Sequence, residues 1–117
     1  MKELSLGKAG EVIAGKLLIT LGFTILECNF TCPLGEIDII AQHQQTRYFV
    51  EVKTRSGRQF GRPSEAVTKD KQQRLRRLAN YYIVTTRYGG PVAFGVVEVI
   101  HRPIDQRYQA FFIDHAF

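Results

Sequence analysis

Two short apolar runs separated by a polar break constrain the fold of this chain more than any other feature. Residues 35–41 read GEIDIIA, residues 47–55 read RYFVEVKTR, and the break at residues 42–46 is polar throughout. Runs of β-branched and aromatic residues on either side of a short turn are typical of two antiparallel strands. The sequence therefore predicts a β-hairpin over residues 35–55.

The alternation of side chains along a strand gives the predicted hairpin two faces. On the first strand, one face carries Glu36, Asp38 and Ile40, and the other carries Ile37 and Ile39. On the second strand, one face carries Phe49, Glu51, Lys53 and Arg55, and the other carries Tyr48, Val50 and Val52. We therefore expect one face of the hairpin to gather acids and bases from both strands.

The position of the turn predicts which of these residues oppose each other. A turn centred between residues 44 and 45 places Asp38 opposite Glu51. The same register pairs Glu36 with Lys53 and Ile40 with Phe49. Two carboxylates about 5 Å apart repel by roughly 3 kcal/mol at an effective dielectric of about 20. A purely structural hairpin would avoid that pair, whereas hard divalent cations such as Mg²⁺ bind carboxylate oxygens. We therefore interpret the pair as a metal site, with the Lys53 ammonium within reach of a water or phosphate beside it.

Asp38 and the run Glu51-Val52-Lys53 resemble the signature of the PD-(D/E)XK nucleases. Ile37 stands where the name of the signature has proline, a departure that is common in this superfamily. The resemblance implies that Asp38 and Glu51 are metal ligands. It also implies that Lys53 is the catalytic base or stabilises the charge that develops on the phosphate.

A wider resemblance covers nearly the whole chain. The segments that carry it are Gly10-Glu11, Gly22, Asn29, GEIDIIA, VEVKTR, Phe60-Gly61, Glu65-Ala66-Val67, Lys71, Arg74-Leu75 and Ala116-Phe117. Together they are similar to the YraN family, small bacterial proteins that resemble archaeal Holliday-junction resolvases. The resemblance implies an α/β restriction-endonuclease-like core, with a mixed central sheet flanked by helices. It also implies an endonuclease dependent on Mg²⁺ or Mn²⁺ that cuts DNA, with branched or Holliday-junction DNA as the expected substrate.

A third acid belongs to the predicted first helix. Ser5 is a suitable N-cap, helical spacing of apolar residues continues to about Leu21, and Gly22 is a suitable stop. Glu11 lies at the edge of the apolar stripe of this helix. That position fits two roles equally well: a Glu near the N-terminus that interacts with the helix dipole, and a carboxylate that faces the hairpin. The family resemblance favours the second interpretation and implies Glu11 and the Val52 carbonyl as further metal ligands.

The remaining pattern predicts one α/β domain that spans residues 1–117. Residues 23–30 are predicted as a strand, and a second helix is predicted from its N-cap Thr68 to about residue 87. The apolar run at residues 92–100 indicates a central strand, and residues 108–113 indicate an edge strand. Helices and strands in this order are typical of an α/β layer structure.

The charge distribution indicates an acidic partner such as nucleic acid, and DNA is the kind that we expect. The chain of 117 residues has a formal net charge of +5. Residues 53–77 hold nine Lys and Arg against two acids, and a basic patch of this kind favours phosphate contacts. The predicted DNA-contacting residues are Arg55, Arg58, Arg62, Lys71 and Arg74.

Other function classes are disfavoured by composition. No apolar run approaches the roughly 20 residues of a membrane span, and charges interrupt the N-terminus where a signal sequence would be apolar. We therefore expect a cytoplasmic protein without a membrane partner. Cys28, Cys32 and three scattered histidines do not make a convincing zinc site, and we interpret both cysteines as free thiols.

Two alternatives remain open at this stage. A nucleic-acid-binding module that keeps the nuclease fold but does not cut would explain the basic segment equally well. A structural protein with a surface ion pair between Glu36 and Lys53 would leave the basic segment unexplained. Such a pair contributes only about 0–1 kcal/mol, which is too little to offset the repulsion between Asp38 and Glu51. A homodimer is compatible with the sequence, because symmetric cutting of a junction needs two active sites and an edge strand can pair with a second copy.

Overall fold

The computed structural model describes residues 5–57 and 67–117. The elements in chain order are α1 Leu6–Thr20, β1 Thr24–Cys32, β2 Gly35–His43, β3 Thr46–Ser56, α2 Lys69–Thr86, β4 Val92–Arg102 and β5 Arg107–Ile113. Within these ranges, neither helix is long and apolar enough to cross a membrane. Arg58 and Arg62, predicted to contact DNA, lie outside the described residues.

The five strands form one mixed sheet in the order β1-β2-β3-β4-β5. β3 and β4 are parallel and α2 connects them, whereas the other neighbouring strands are antiparallel. β5 is an edge strand, as its sequence predicts. The predicted α/β class with a mixed sheet flanked by helices is confirmed.

The hairpin of β2 and β3 has the predicted register. Ile40 pairs with Phe49, and the pairing continues to His43 and Thr46 beside the turn. Gln44 in the turn has a positive φ of 54°, which matches the left-handed backbone that tight hairpin turns require. The position of the polar break was therefore sufficient to predict the register.

The two helices cover opposite faces of the sheet. The α1 core contains Ala14 and Leu18 of α1 with Phe23, Ile39, Ala41, Tyr48, Val50, Ala93, Val97 and Val99. The α2 core contains Leu75, Leu78, Ala79 and Tyr82 of α2 with Ile37, Ile40, Phe49 and Phe94. Phe49 and Val50 are neighbours on β3 and belong to different cores, which places the helices on opposite sides. This arrangement leaves the charged end of the hairpin between the two helices.

The strict alternation predicted along β2 is wrong at its first residues. Ile37 was assigned to the same face as Ile39, but it packs in the α2 core with Ile40, whereas Ile39 packs in the α1 core. The departure from alternation coincides with Asp38, whose carboxylate accepts a hydrogen bond from the Val52 backbone N–H at 2.8 Å. A side chain that bonds the neighbouring strand in this way cannot follow the regular pleat.

Gly10 allows α1 to approach β3 closely. A Cβ atom at Gly10 would lie 2.0 Å from Thr54 Oγ1 and 3.1 Å from Thr54 Cβ. Only a residue without a side chain fits this contact. Glu11 is the next residue of the helix, so the contact between Gly10 and Thr54 also fixes the height of Glu11 above the sheet.

We expect Gly10→Ala to lower the free energy of unfolding by about 1–3 kcal/mol, because the added methyl group overpacks a buried contact. Thr54→Ala in the same chain should recover most of the loss, since it removes the Oγ1 atom that the methyl group meets. Chemical denaturation of the two single variants and the double variant measures both effects. Equal stabilities for Gly10→Ala and the wild type would show that this contact does not set the helix position.

Candidate metal centre

Three carboxylates from two elements meet at the open end of the hairpin. Glu11 comes from α1, whereas Glu36 and Asp38 come from β2, and one oxygen of each lies within 4.8 Å of the other two. Glu36 and Asp38 are two residues apart on one strand and therefore point to the same side. The close approach of α1 at Gly10 brings Glu11 to that side. These three residues, called the acid cluster below, are close enough together to hold one metal ion.

Asn29 holds two members of the acid cluster. Turned so that its Nδ2 faces the acids, the Asn29 amide donates to Glu36 Oε1 at 2.7 Å and to Glu11 at 3.3 Å. Asn29 has a positive φ of 55°, a conformation that Asn tolerates better than most residues. Lys8 adds an ion pair to Glu11 at 3.3 Å from the solvent side. The Asn29 amide therefore orients Glu11 and Glu36, and the Lys8 ammonium also holds Glu11.

Asp38 is the most constrained acid of the cluster. Its Oδ2 accepts the hydrogen bond from the Val52 N–H. Burial raises the pKa of Asp38 above its usual value, the Val52 hydrogen bond lowers it, and the charges of Glu11, Glu51 and Glu36 raise it further. A carboxylate that is desolvated and surrounded by like charge gains from a neighbouring cation.

Glu51 of β3 is a further acid close to Asp38. Its Oε1 accepts a hydrogen bond and ion pair from Arg74 of α2 at 3.0 Å. Its Oε2 is buried and has no hydrogen-bond partner among the described residues. Glu36, Asp38, Glu51 and Arg74 line one cavity of about 140 Å³. Glu51 therefore shares one cavity with two members of the acid cluster, Glu36 and Asp38.

Asp38 and Glu51 are not paired directly across the two strands as the register predicts. The observed pairing of β2 with β3 reaches Ile39–Val50 and, within the described residues, does not extend to Asp38. The Val52 N–H is bonded to the Asp38 side chain instead of to the β2 backbone. Asp38 and Glu51 are therefore neighbours around a cavity, although they are not a regular cross-strand pair.

Glu36 has a different neighbour from the one that the register predicts. It was expected opposite Lys53, but it lies with Glu11 and Asp38. The pairing that would bring Glu36 to Lys53 is interrupted where Asp38 bonds Val52. Glu36 was not among the predicted metal ligands, and its two-residue spacing from Asp38 is the sequence signal that could have identified it.

The predicted basic residues have unequal surroundings. Lys53 is half-buried on β3, and Lys71 is exposed in the first turn of α2. Arg74 is bound to Glu51, and Arg55 is bound to Glu98 of β4 at 2.7 Å. Within residues 5–57 and 67–117, no ion pair of Lys53 or Lys71 is observed. Of the predicted basic residues that the structure describes, Arg74 is the one that lines the acid-lined cavity.

The donor set fits a hard divalent cation. Its members are carboxylate oxygens, which suit Mg²⁺ and Mn²⁺ better than soft metals. Glu51 Oε2 is a buried acceptor that lacks a partner among the described residues, and a buried acceptor of this kind costs stability until a donor or cation reaches it. The predicted ligands Asp38 and Glu11 lie in the acid cluster with Glu36, whereas the predicted ligand Glu51 lines the cavity beside Asp38.

The mixed sheet, the two flanking helices and the acids at the open end of the β2–β3 hairpin define an α/β protein of the restriction-endonuclease-like class. The sequence profile of the uncharacterised protein family UPF0102 matches residues 10–107. The chain therefore belongs to UPF0102, the YraN family.

Relatives from distant bacteria match almost end to end. A UPF0102 protein of Thermodesulfovibrio yellowstonii is 43% identical over 112 residues, which are 96% of this chain and 100% of the relative. One from Caldicellulosiruptor saccharolyticus is 46% identical over 85% of each chain. One from Symbiobacterium thermophilum is 46% identical over 95% of this chain and 94% of the relative. The range matched by the family profile, residues 10–107, spans the acid cluster and both cores.

Proposed function

We propose that the protein is a metal-dependent endonuclease that hydrolyses phosphodiester bonds of DNA. The observation that carries the proposal is the cavity lined by Glu36, Asp38 and Glu51, with Glu11 beside it and one buried Glu51 oxygen that lacks a partner among the described residues. The three carboxylates around so small a space, and Glu11 beside them, repel one another in the metal-free protein. A bound cation would convert that repulsion into attraction.

Asp38 and Glu51 would hold Mg²⁺ or Mn²⁺, with Glu11, Glu36 and the Val52 carbonyl as further ligands. The cation, when bound, would polarise the scissile phosphate and lower the pKa of an attacking water. Asn29 keeps the carboxylates of Glu11 and Glu36 oriented toward the site. The side chains of the protein therefore position the phosphate and the water with little rearrangement.

Lys53 would act on the attacking water or on the developing charge of the phosphate. It follows Glu51 by two residues on β3, so both side chains leave the strand on the same side. Its half-buried position suits an ammonium that contacts a reacting group. The side chain would orient or deprotonate the water, or donate a hydrogen bond to the phosphate oxygen that gains charge.

The substrate is expected to be DNA because the cavity opens beside a basic helix. Arg74 lines the cavity itself, and Lys71 lies one turn earlier on α2. Arg74 would exchange its ion pair with Glu51 for a backbone phosphate when a cation takes its place on the carboxylate. Branched or junction DNA is the expected preferred form, on the family resemblance.

The test is cleavage of a four-way junction and of linear duplex DNA of matching sequence, with Mg²⁺ or Mn²⁺. We expect cleavage by the wild type and none by Asp38→Ala or Glu51→Ala. Glu27→Ala is a matched control, because Glu27 is an exposed acid on β1 that belongs neither to the cavity lining nor to the acid cluster. Cleavage that survives both cavity substitutions would rule the proposal out.

A non-catalytic DNA-binding module is the second candidate. The ion pair between Arg74 and Glu51 favours it, because one oxygen of Glu51 is already satisfied without a metal. Isothermal titration calorimetry with Mg²⁺ and with uncleavable DNA separates the two. Tight binding of DNA without uptake of metal would favour the binding module over the nuclease.

A further inference from the structure

The outer side of α2 carries a groove of about 550 Å³ that the proposed mechanism does not use. Arg77 and Tyr81 line it from α2, and their four-residue spacing puts them on one stripe of the helix. Leu34, in the turn between β1 and β2, lines the opposite side. A Cβ atom at Gly35 would lie 3.5 Å from the Leu78 side chain, so this turn rests against the helix. The turn and α2 therefore form the groove together, and we call it the α2 groove.

The α2 groove exposes apolar side chains and an aromatic ring. Leu34 is 56% exposed and Val84 is 66% exposed, and both line the groove. Tyr81 is half-buried, and its ring contacts no other aromatic ring within residues 5–57 and 67–117. Tyr82, the next residue, packs edge-on against Phe49 instead. The Tyr81 ring is therefore available to a flat partner that stacks on it.

The charge around the α2 groove is positive. Arg76 and Arg77 line it, and none of the described lining residues is acidic. The Arg76 guanidinium carbon lies 5.0 Å from the centre of the Phe94 ring, a contact that holds this side chain beside the groove. Asn80, also in the lining, has an amide that can both donate and accept hydrogen bonds. The lining therefore suits a partner that combines a flat apolar ring, polar edges and negative charge.

The α2 groove lies next to the acid-lined cavity. Leu34 is two residues before Glu36, which lines the cavity, and Arg77 is one turn after Arg74, which also lines it. At 1.5 Å per residue, Arg74 and Tyr81 are about 10 Å apart along the helix axis. A DNA strand with one phosphate in the cavity can therefore place a nearby base in the groove.

A nucleobase fits the α2 groove better than a protein partner does. Seven residues line the groove, whereas a stable protein–protein interface takes about 20–30 residues on each side. The groove volume lies within the range of small-ligand sites. Aromatic rings beside basic side chains are the means by which single strands are bound, because every base has a face that stacks. A base inside a duplex is already stacked on its neighbours, so the base in the groove must be unpaired.

We propose that the α2 groove holds an unpaired base of a DNA strand that passes through the acid-lined cavity. The base stacks on Tyr81, Asn80 bonds its polar edge, and Arg77 contacts a neighbouring phosphate. The substrate class is therefore DNA with a single-stranded segment beside the cut, such as a flap or a fork. This inference rests on the proposed nuclease function and adds to it the form of DNA that the site takes.

Fluorescence anisotropy in EDTA measures binding without cleavage. The probes are labelled oligo(dT) and an abasic oligomer of the same length, which presents the same phosphates without bases. We expect the wild type to bind oligo(dT) about 5- to 100-fold more tightly than the abasic oligomer, the range expected when one base stacks. Tyr81→Ala should remove most of this preference, and Tyr81→Phe should keep it, because the ring remains.

Tyr108→Ala is the matched control, because Tyr108 is an exposed tyrosine of β5 outside the groove lining. It should keep the wild-type preference, and circular dichroism checks that every variant is folded. Equal affinity of the wild type for both probes would overturn the proposal. So would a Tyr81→Ala variant that weakens both probes by the same factor. A wild-type dimer in sedimentation that Tyr81→Ala makes monomeric would identify the groove as an interface between copies and would also overturn it.

Photocrosslinking locates the base in the unmodified protein. An oligo(dT) that carries 5-iododeoxyuridine should crosslink to Tyr81 under ultraviolet light, as peptide mass spectrometry would show. Crosslinks confined to peptides outside the groove would contradict the proposal. This readout depends neither on a variant that folds nor on cleavage.

Cleavage with Mn²⁺ separates the role of the groove from the nuclease itself. We expect Tyr81→Ala to lower kcat/KM for a fork with single-stranded arms by about 5- to 100-fold. The kcat/KM for a blunt duplex should stay unchanged, and an equal loss on both substrates would overturn the proposal. A wild type that cuts neither substrate would refute the nuclease, whereas the binding and crosslinking results would still decide whether the groove takes a base.

Discussion

Asp38→Asn should abolish DNA cleavage and at the same time stabilise the metal-free protein. Loss of this proposed metal ligand should lower kcat by about 10³-fold or more, since it removes charge stabilisation at the reacting phosphate. In EDTA, we expect the free energy of unfolding to rise by about 1–3 kcal/mol, because the substitution removes repulsion from neighbouring carboxylates about 5 Å away. The Asn oxygen can still accept the hydrogen bond from the Val52 N–H.

The stability that Asp38→Asn gains over the wild type should increase with pH. Burial and like charges raise the pKa of Asp38 in the folded protein, so the wild type loses stability as the pH rises from the unfolded pKa through the folded one. At lower pH the carboxyl is protonated in both the folded and the unfolded state, and the advantage of Asp38→Asn should shrink.

Asp70→Asn is the control, because Asp70 lies in the first turn of α2 and interacts favourably with the helix dipole. Urea denaturation in EDTA at several pH values should show a gain for Asp38→Asn and a small loss for Asp70→Asn. A loss of stability for both would contradict the account of repulsion.

Lys53→Met should lower kcat for DNA cleavage by about 10²–10⁴-fold. This is the contribution that a general acid or base typically makes to the rate. We expect affinity for DNA and for Mn²⁺ to stay close to wild type, because the role of Lys53 is confined to the reaction itself. The methionine stem should also fill the half-buried position without loss of stability. Single-turnover cleavage and calorimetric titration measure the two quantities separately.

Lys71→Met is the matched control for this second prediction. Lys71 has the same charge and lies exposed on α2, so its loss should weaken DNA binding slightly and reduce the salt dependence of binding by about one counterion. Its kcat should be unchanged. If Lys53→Met instead weakened DNA binding and kept kcat, Lys53 would be a phosphate contact without a part in the chemistry.

Local sequence signals predicted most of the fold because they act over a few residues. Ser5 accepts a hydrogen bond from the Lys8 N–H, and Thr68 accepts one from the Lys71 N–H, so both predicted N-caps are confirmed. The polar break at residues 42–46 fixed the hairpin register through the pair of Ile40 with Phe49. A turn and an N-cap each depend on backbone geometry that short stretches of sequence determine.

The composition of the acid cluster could be predicted only in part. The predicted ligand Glu11 is observed beside Asp38. Glu36 was missed because regular register would place it opposite Lys53, and the register is interrupted where Asp38 bonds Val52. Asn29 has a place only in the family resemblance, since nothing in its own strand pattern indicates a residue with positive φ that bonds two acids. Both depend on contacts between distant parts of the chain.

The partner of Arg55 also lay beyond what the sequence could predict. Glu98 stands in the most apolar strand, and the pattern there allowed a structural role as readily as any other. Its full burial and its bond to Arg55 follow from the parallel pairing of β3 with β4. That pairing joins residues about 45 positions apart and so leaves no local signal in the sequence.

The central claim is that the acids at the open end of the hairpin share one divalent cation. The most direct measurement is an anomalous difference map from a crystal of the protein grown or soaked with Mn²⁺. We predict one strong peak in the cavity, in contact with Asp38 and Glu51, and its absence in Asp38→Asn. A crystal soaked at saturating Mn²⁺ with no peak in that cavity, while Arg74 remains on Glu51, would contradict the account.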